Sequence, residues 1–592
     1  MPIANSSTAI EEEPTAVGAP GRSVAGLQPR VTTWAKRLLP PALFLIASLA
    51  LAWPAVSHLG SRVPGGADGI LFAWHFEWIA QSVTHFQNPL GSPMLNAPQG
   101  MNEMWNAAVL LLSIICIPLT LTIGPFATVS LLTVIAPAIS ASVAYEVLRR
   151  LTGQPYGAFI GGVMYAYGPF AIGQFVHLHV LLAPFPPLLL LLGYRLLVTQ
   201  SGSPVRLGTW LGVITGLQLL LAEEIVALCI LGAAAGVFWL AVLNRRQIRS
   251  HARYALIGAG VAAGVSLLIA GIPLAYQFFG PNAVRTLTLS GLRADLASFV
   301  RPGQLSQFSS RADIKANLTF PANTSENTGY LGWPLIIALL LVSGWFILRQ
   351  ERFGSWWLLT TLSLVVLMLG SPISFNGKAV SRGPWAVVRR LPLFGGAIPV
   401  RLSLLVALMV ALLIAVTLAK LRKRQLLVGV LVTALVLVPL CPYGRLRSTP
   451  LPATPAFFTT SAVNMIPKDA LTVILPQATF PRVSAMLWQT RAHHRFRLVG
   501  GYSVFATEKK TATYFPKLPL FELLLNNVAR TKQLTAADIE RGEASIASSG
   551  VRYIIIAPEQ RNADAVATAA AAMADCSLQR VAGVTVCAVG VR

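Results

Sequence analysis

Long apolar runs separated by short basic clusters dominate the chain from Leu38 onward. Ala255 to Phe279 holds no charged residue, and Leu335 to Leu348 and Leu402 to Ala419 are equally clean. An apolar run of about 20 residues is what a helix needs to cross the hydrocarbon core of a bilayer. The pattern predicts about eleven such helices, at 39–58, 128–148, 157–175, 180–198, 208–221, 223–243, 254–279, 329–349, 355–370, 401–419 and 425–441. One more apolar stretch, 107–123, is interrupted by Pro118 and followed by Gly124-Pro125. It reads as a re-entrant or interfacial segment, which is tolerated where protein buries it. Composition agrees, with 54% hydrophobic and 11% charged residues in 592. Soluble domains average about 25% charged, so a water-facing shell over most of this chain is excluded.

The net charge of +24 does not indicate nucleic acid. The cations sit in clusters between apolar runs, the distribution that the positive-inside rule produces. Arg30, Lys36 and Arg37 precede the first run. Arg149-Arg150, Arg195 with Arg206, Arg245 to Arg253, Arg349 with Arg352, and Lys420 to Arg424 mark later loops. All fall on the cytoplasmic side if 107–123 does not cross. The first run then reads as an anchor in the plasma membrane, with a cytoplasmic, disordered tail at 1–38 and a transmembrane domain at 39–443. Its loops 59–106, 280–328 and 371–400 face outward, as does everything from 444 to 592. The five cysteines form no CxxC pair, so a zinc or redox motif is not supported.

Polar residues that topology does not explain concentrate on the outer side. In the first outer loop Asp68 precedes Leu71, Trp74, Trp78, Ile79 and Val83, a helical spacing that predicts a helix lying in the membrane interface. Asp68 is either its cap, a catalytic carboxylate, or both, and Glu77 is expected to be a solvated residue of the same helix. Glu223-Glu224 stands between two apolar runs, where paired carboxylates are expensive without a partner or a polar cavity; the bland alternative is a tight turn. His177 and His179 emerge on the outer side, suited to a phosphate, a metal or a merely interfacial position. Arg285, Arg293, Asp295, Arg301 and Glu326 lie in the second outer loop, and Arg389, Arg390 and Arg401 in or after the third. Guanidinium groups there suggest a bound phosphate, with anionic lipid headgroups as the alternative.

After Cys441-Pro442 the hydropathy drops. Leu471 to Leu475 and Tyr553 to Ala557 read as buried strands, Leu534 to Ser549 and 562–574 as helices, and Leu578 to Val589 as a hairpin around Gly583. This is a small α/β domain expected to bind an acceptor or partner, or to cover the site. Cys576 and Cys587 flank the hairpin turn and are placed to form a disulfide in an oxidising envelope.

The order of these features resembles the GT-C superfold, integral-membrane glycosyltransferases that use polyprenyl-phosphate-linked sugars. The resemblance rests on Gly66-Ala67-Asp68-Gly69 with Trp74 and Trp78, on Asn96-Ala97-Pro98-Gln99-Gly100, and on Leu148-Arg149-Arg150-Leu151-Thr152-Gly153. Glu326 to Gly332, Leu391-Pro392-Leu393-Phe394 and Pro399-Val400-Arg401 resemble later landmarks of bacterial relatives. It covers about residues 40–440. It implies transfer at a sugar carbon with a lipid phosphate as leaving group, and Asp68 as the base toward the acceptor hydroxyl. Arg401, Arg389 and Arg390 would surround the phosphate, and Glu223, Glu224, His177, His179, Asp295 and Glu326 would bind substrate. Many members carry an acidic pair where this chain has one Asp, which leaves a divalent metal as an open requirement.

The expected function is therefore transfer of a sugar, hexosyl or pentosyl, from a lipid-linked donor to an envelope glycan, lipid or protein. The alternatives are a transporter or flippase of a lipid-linked glycan and a non-catalytic envelope assembly protein. Transporters are often built from internal repeats around a midplane site; no repeat is visible here, and the polar residues lie at the outer face. The topology makes a direct prediction. A fluorescent protein that matures only in the cytoplasm, fused after Arg592, is expected to stay dark; bright cells would overturn the orientation.

Overall fold

The computed structural model describes residues 28–590 apart from 286–290, 392–393, 445, 447 and 516, with the side chains of 28–36 also outside the described set. Most of the expected N-terminal tail, and Pro392 and Leu393 of one landmark, therefore lie outside the described residues. Among those described, eight helices are long and apolar enough to cross a membrane. They are Pro125–Thr152, Pro155–Val176, Leu178–Thr199, Pro204–Leu221, Glu223–Leu243, Arg245–Phe279, Pro399–Lys420 and Lys423–Leu440. The shorter apolar helices Arg37–Leu51, Gly332–Leu348 and Arg352–Met368 occupy the other three expected spans. The fold class is thus the expected one, a polytopic helical bundle followed by a small α/β unit. Local chemistry sets several helix ends. Pro125, Pro155 and Pro204 open helices at the position that has no intrahelical amide bond to lose. The helix Pro125–Thr152 ends in its two arginines and a left-handed Gly153.

The stretch 107–123 forms two short helices, Leu110–Ile115 and Ile117–Ile123, divided at Cys116 just before Pro118. With six and seven residues at about 1.5 Å per residue, neither reaches across a core about 30 Å thick.

The first outer loop departs from expectation in its surroundings. The helix is there, Ala67–Thr84, but thirteen of its eighteen residues are buried, on every face. It does not lie in a lipid interface; protein encloses it. Helix Ser484–Arg491 of the C-terminal region packs across it, and the Trp74 indole N–H donates to Gln489 Oε1 at 2.8 Å. Glu77 is likewise not solvated. It is 4% exposed and accepts from Gln81 at 2.7 Å and His493 at 2.8 Å. Burial alone would raise the Glu77 carboxyl; the hydrogen bond and charge of the two histidines, with Gln81, hold it below its ordinary value.

The C-terminal region folds around a five-stranded mixed sheet in the order Leu578–Val581, Val584–Ala588, Tyr553–Ile556, Leu471–Leu475, Arg497–Leu498. Tyr553–Ile556 pairs parallel with Leu471–Leu475 and antiparallel with Val584–Ala588. Both faces are covered, which is why the central strands read as unbroken apolar runs. Leu471, Val473, Leu475, Ile554 and Ile556 pack on the helices Leu520–Ala529, Ala536–Ser549 and Ala563–Ala574. Ile474, Ile555 and Val586 point the other way, into a core shared with Trp74, Phe76 and Phe126.

That shared core joins the sheet to the bundle. The segment Met94 to Ala97 lies along the sheet's edge: Asn96 N–H donates to Gly500 O at 2.8 Å, Ala97 N–H to Leu498 O at 3.1 Å, and Leu498 N–H to Met94 O at 2.9 Å. The Asn96–Gly100 landmark thus covers an open strand edge. Arg62–Pro64, before the buried helix, pairs antiparallel with Ser448–Pro450.

Cys576 and Cys587 are joined, with Cα atoms 5.6 Å apart. They lie 11 positions apart in sequence, so the bond closes a short loop and stabilises the folded state by about 3 kcal/mol or less on a chain-entropy basis. Non-reducing peptide mapping of the purified protein is expected to recover the Cys576–Cys587 pair, and Cys587→Ser to lower the unfolding temperature of the sheet. Two separately alkylated thiols would refute the link.

Candidate active site

The candidate site begins with a backbone constraint. Strand Arg62–Pro64 must turn sharply into helix Ala67–Thr84, and Gly65 and Gly66 do so at φ +79° and +56°, a region other residues enter at a cost. A Cβ on Gly69 would lie 2.1 Å from the Pro64 carbonyl oxygen, so only glycine lets the first helical turn fold onto the strand. Between these glycines Asp68 is the second residue of the helix, and the helix cap is Gly66 with no side-chain bond. Asp68 therefore does not cap. Its Oδ1 accepts instead from the Tyr502 hydroxyl at 2.9 Å, across from the C-terminal region.

Beside Asp68 stands His177, whose Nε2 is 3.8 Å from Asp68 Oδ2. Gln174 fixes its tautomer. The Gln174 amide N–H₂ donates to Glu326 Oε2 at 2.8 Å and to Ser325 O at 3.2 Å, so its carbonyl oxygen meets His177 Nδ1 at 2.7 Å. Nδ1 must then carry the hydrogen, and Nε2 presents a lone pair toward Asp68. Burial, reinforced by the nearby Arg401 charge, lowers the His177 pKa to about 4, so the ring is neutral near pH 7.

Behind His177 three charges close on one another. The Arg401 guanidinium donates to Glu326 Oε1 from Nη2 at 2.6 Å and from Nε at 3.1 Å. On its other side Nη1 bonds the Glu224 carboxylate, which also accepts the Ile398 N–H at 2.7 Å. Arg401 and Glu326 are almost wholly buried. Burial alone would raise the Glu326 carboxyl; the Arg401 charge and hydrogen bonds, with Gln174, hold it below its ordinary value. Asp68 shows the opposite balance. Burial lifts its pKa above 3.8, only partly offset by the Tyr502 hydrogen bond and the Arg401 charge. Neighbouring carboxylates pushed in opposite directions mark different roles.

The expected site residues thus divide. Asp68, His177, Glu224, Glu326 and Arg401 converge, with the His179 ring 6.0 Å from that of His177 and its Nδ1 buried without a partner among the described residues. Arg401 is paired with the two carboxylates Glu224 and Glu326. Arg389 and Arg390 are exposed, and no described carboxylate lies within ion-pair distance of either. Asp295 is structural. Its carboxylate accepts backbone N–H groups from Ala297 at 2.8 Å, Asn376 at 2.9 Å and Gly377 at 2.8 Å, holding the Ile373–Ser381 hairpin. Glu223 lines a small crevice with Met104, Asn106, Val109, Leu220 and Pro273. The one-residue break at Ala222 between two helices gives the tight turn that was the alternative reading.

Three site residues were missed: Gln174, Tyr502 and Tyr514. Tyr514 senses the charges of Arg401, Asp68 and Glu224, and burial holds its hydroxyl protonated above the usual range. The signal for Tyr502 was Gly500-Gly501 directly after a strand, a turn that aims the next side chain out of the sheet. A resident divalent ion is not fitted by these residues. Among the described residues no three His, Cys, Asp or Glu side chains converge as ligands, and Glu326 is already saturated by Arg401 and Gln174.

Fold and site together define a polytopic helical membrane protein in which a half-buried carboxylate, Asp68, is contacted by an α/β unit. Residues 68–439 match the model of a domain of unknown function, DUF6311, and the chain belongs to that family. No curated protein matches it. Among solved structures it is similar to the Archaeoglobus fulgidus oligosaccharyltransferase tethered with an acceptor peptide, at 14% identity over 91% of this chain and 72% of that one, TM-score 0.46. ArnT from Cupriavidus metallidurans is similar at 10% identity over 94% and 98%, TM-score 0.42. The arabinofuranosyltransferase AftD from Mycobacteria is similar at 13% identity over 94% and 42%, TM-score 0.46.

The three-charge cluster can be tested by stability. Removing one partner of a buried ion pair costs about 3–5 kcal/mol because the other charge is stranded. Arg401→Ala is expected to lower the unfolding temperature in detergent sharply, and Arg401→Met combined with Glu224→Gln and Glu326→Gln to recover much of the loss. An unchanged temperature in Arg401→Ala would show that the carboxylates do not depend on it.

Proposed function

We propose that the protein is a membrane glycosyltransferase moving a sugar from a polyprenyl-phosphate-linked donor to an envelope glycan, lipid or protein on the extracytoplasmic side. The observation that carries the reading is Asp68, a carboxylate with a raised pKa, facing the neutral His177 Nε2 across 3.8 Å. Two proton acceptors that bond nothing between them make a seat for a hydroxyl, which needs a base in order to attack. A sugar or side-chain hydroxyl is a poor nucleophile, and a carboxylate within hydrogen-bond reach corrects that.

In the proposed reaction the acceptor oxygen attacks the anomeric carbon and its proton passes to Asp68. The bond between that carbon and the phosphate oxygen breaks, and the lipid phosphate departs with the electron pair. Tyr502 holds Asp68 by its hydroxyl and, because burial and the Asp68 charge raise its own pKa, stays protonated. Arg389 and Arg390 are the exposed cations suited to the departing phosphate. Glu224, His177 and Arg401 lie at helix ends and connecting segments rather than mid-helix, which supports transfer over transport.

Asp68→Asn is expected to reduce transfer by about 10²–10⁴-fold at normal protein abundance. The readout is mass spectrometry of lipid-linked sugars and envelope glycans in a deletion strain complemented with each variant. Full complementation by Asp68→Asn would leave a non-catalytic assembly role. The pH profile carries a sign. A base works only when deprotonated, so activity is expected to rise with pH through an acid limb above 3.8, the ordinary Asp value. Tyr502→Phe removes a bond that lowers this pKa and is expected to move the limb to higher pH; a limb that stays in place would separate Tyr502 from the base.

A further inference from the structure

From Asp68 a row of aromatic rings runs outward over the C-terminal region. The Tyr502 hydroxyl is on Asp68, its ring centroid is 5.4 Å from Phe480 and 6.3 Å from Tyr514, and Phe515 follows Tyr514 in the chain. The outer members are open, Phe480 at 56% and Phe515 at 71% exposure, although rings of this size ordinarily dominate buried cores. A second observation lies in the same place. The Gln477 amide nitrogen is closed off from solvent with no hydrogen-bond partner among the described residues. It packs on Gly500, where a Cβ would approach it to 2.3 Å. Buried polar groups are normally satisfied, so this donor awaits an acceptor from a ligand or a water. Exposed ring faces leading from the Asp68 carboxylate, with an unsatisfied amide packed on Gly500, match one ligand chemistry well. A sugar presents apolar C–H faces for rings and hydroxyls for amides and carboxylates.

We infer that Phe480, Tyr502 and Tyr514, with the Gln477 amide, form a carbohydrate-binding subsite that the C-terminal region contributes next to Asp68, and that it holds the sugar of an acceptor glycan. The inference rests on the transferase reading for the sugar's role as acceptor, and on the rings alone for its binding. Of the acceptor classes open to the site, it selects a glycan over a protein. Tyr502 belongs to both systems, its hydroxyl fixing the base and its ring beginning the platform, so a bound sugar would be placed with a hydroxyl toward Asp68.

The test uses the full chain in lipid nanodiscs and a panel of defined oligosaccharides of glucose, mannose, galactose, arabinose and N-acetylglucosamine, with binding followed on an array and by calorimetry. At least one oligosaccharide is expected to bind the wild type. Phe480→Ala and Tyr514→Ala are each expected to weaken it about tenfold, with Phe480→Trp close to wild type. Absence of binding to every member of the panel, or equal binding by Phe480→Ala and Tyr514→Ala, would overturn the subsite. So would a Phe480→Cys protein labelled by a water-soluble maleimide in detergent but shielded in nanodiscs, since that places the patch against lipid. Ring-dependent sugar binding with no transfer in the deletion-strain assay would keep the subsite and remove the transferase reading.

Discussion

A single guanidinium, buried between two carboxylates, is the constraint on which the candidate site of this protein depends. Glu224, Glu326 and Arg401 come from a helix start, an outer loop and the entry to another helix. None of the three could be buried alone, because an unpaired ion inside protein costs several kcal/mol. Together they pin three segments to one point. Glu224 also accepts the Ile398 N–H, and the Thr328 and Ser403 hydroxyls share a bond at 2.8 Å next to the cluster. The geometry of His177 follows, since Gln174 reaches it only because its amide is spent on Glu326.

The cluster leaves an electrostatic remainder. Asp68, Glu224 and Glu326 face one cation, Arg401, and His177 is neutral. Such a place repels a phosphate and attracts a proton or a hydroxyl donor. On the transferase reading this separates the two substrates in space, the acceptor hydroxyl at Asp68 and the lipid phosphate toward the exposed arginines of the third outer loop. Gathering all the cations beside Asp68 would have lowered its pKa when a raised one is useful.

Much of the fold was legible in the sequence because hydropathy is a local signal. Each expected span has its helix, and Leu471–Leu475 and Tyr553–Ile556 are strands where β-branched runs predicted them. Long-range pairing was not legible. The periodicity of Leu71, Trp74 and Trp78 announced a helix correctly, but an apolar face reads the same against lipid as against another helix, so its burial under Ser484–Arg491 was invisible. Arg401 looked free to bind phosphate because its partners lie 75 and 177 residues away. Asp295 looked like a ligand because nothing in its sequence shows that Asn376 and Gly377 would turn their amides toward it. Asp68 stands out in the sequence because glycines on either side make its position conspicuous.

The lone Asp68 then acquires a physical explanation. An acidic pair on one loop would place two like charges within a few ångströms, a repulsion that a bound cation is well suited to relieve. Here the second group beside Asp68 is an imidazole, and the third is a phenol delivered by another part of the chain. Neither adds negative charge, so Asp68 can be desolvated without a counter-ion of its own, and burial is free to raise its pKa. That arrangement holds only while Tyr502 is in place. Tyr502 is in turn fixed by the loop whose Ser503 hydroxyl and Val504 N–H both donate to Asn106, each at 2.6 Å. Asn106 belongs to the first outer loop, so the bundle positions the tyrosine that completes its own carboxylate. The α/β unit therefore supplies a direct hydrogen bond to Asp68 as well as covering it.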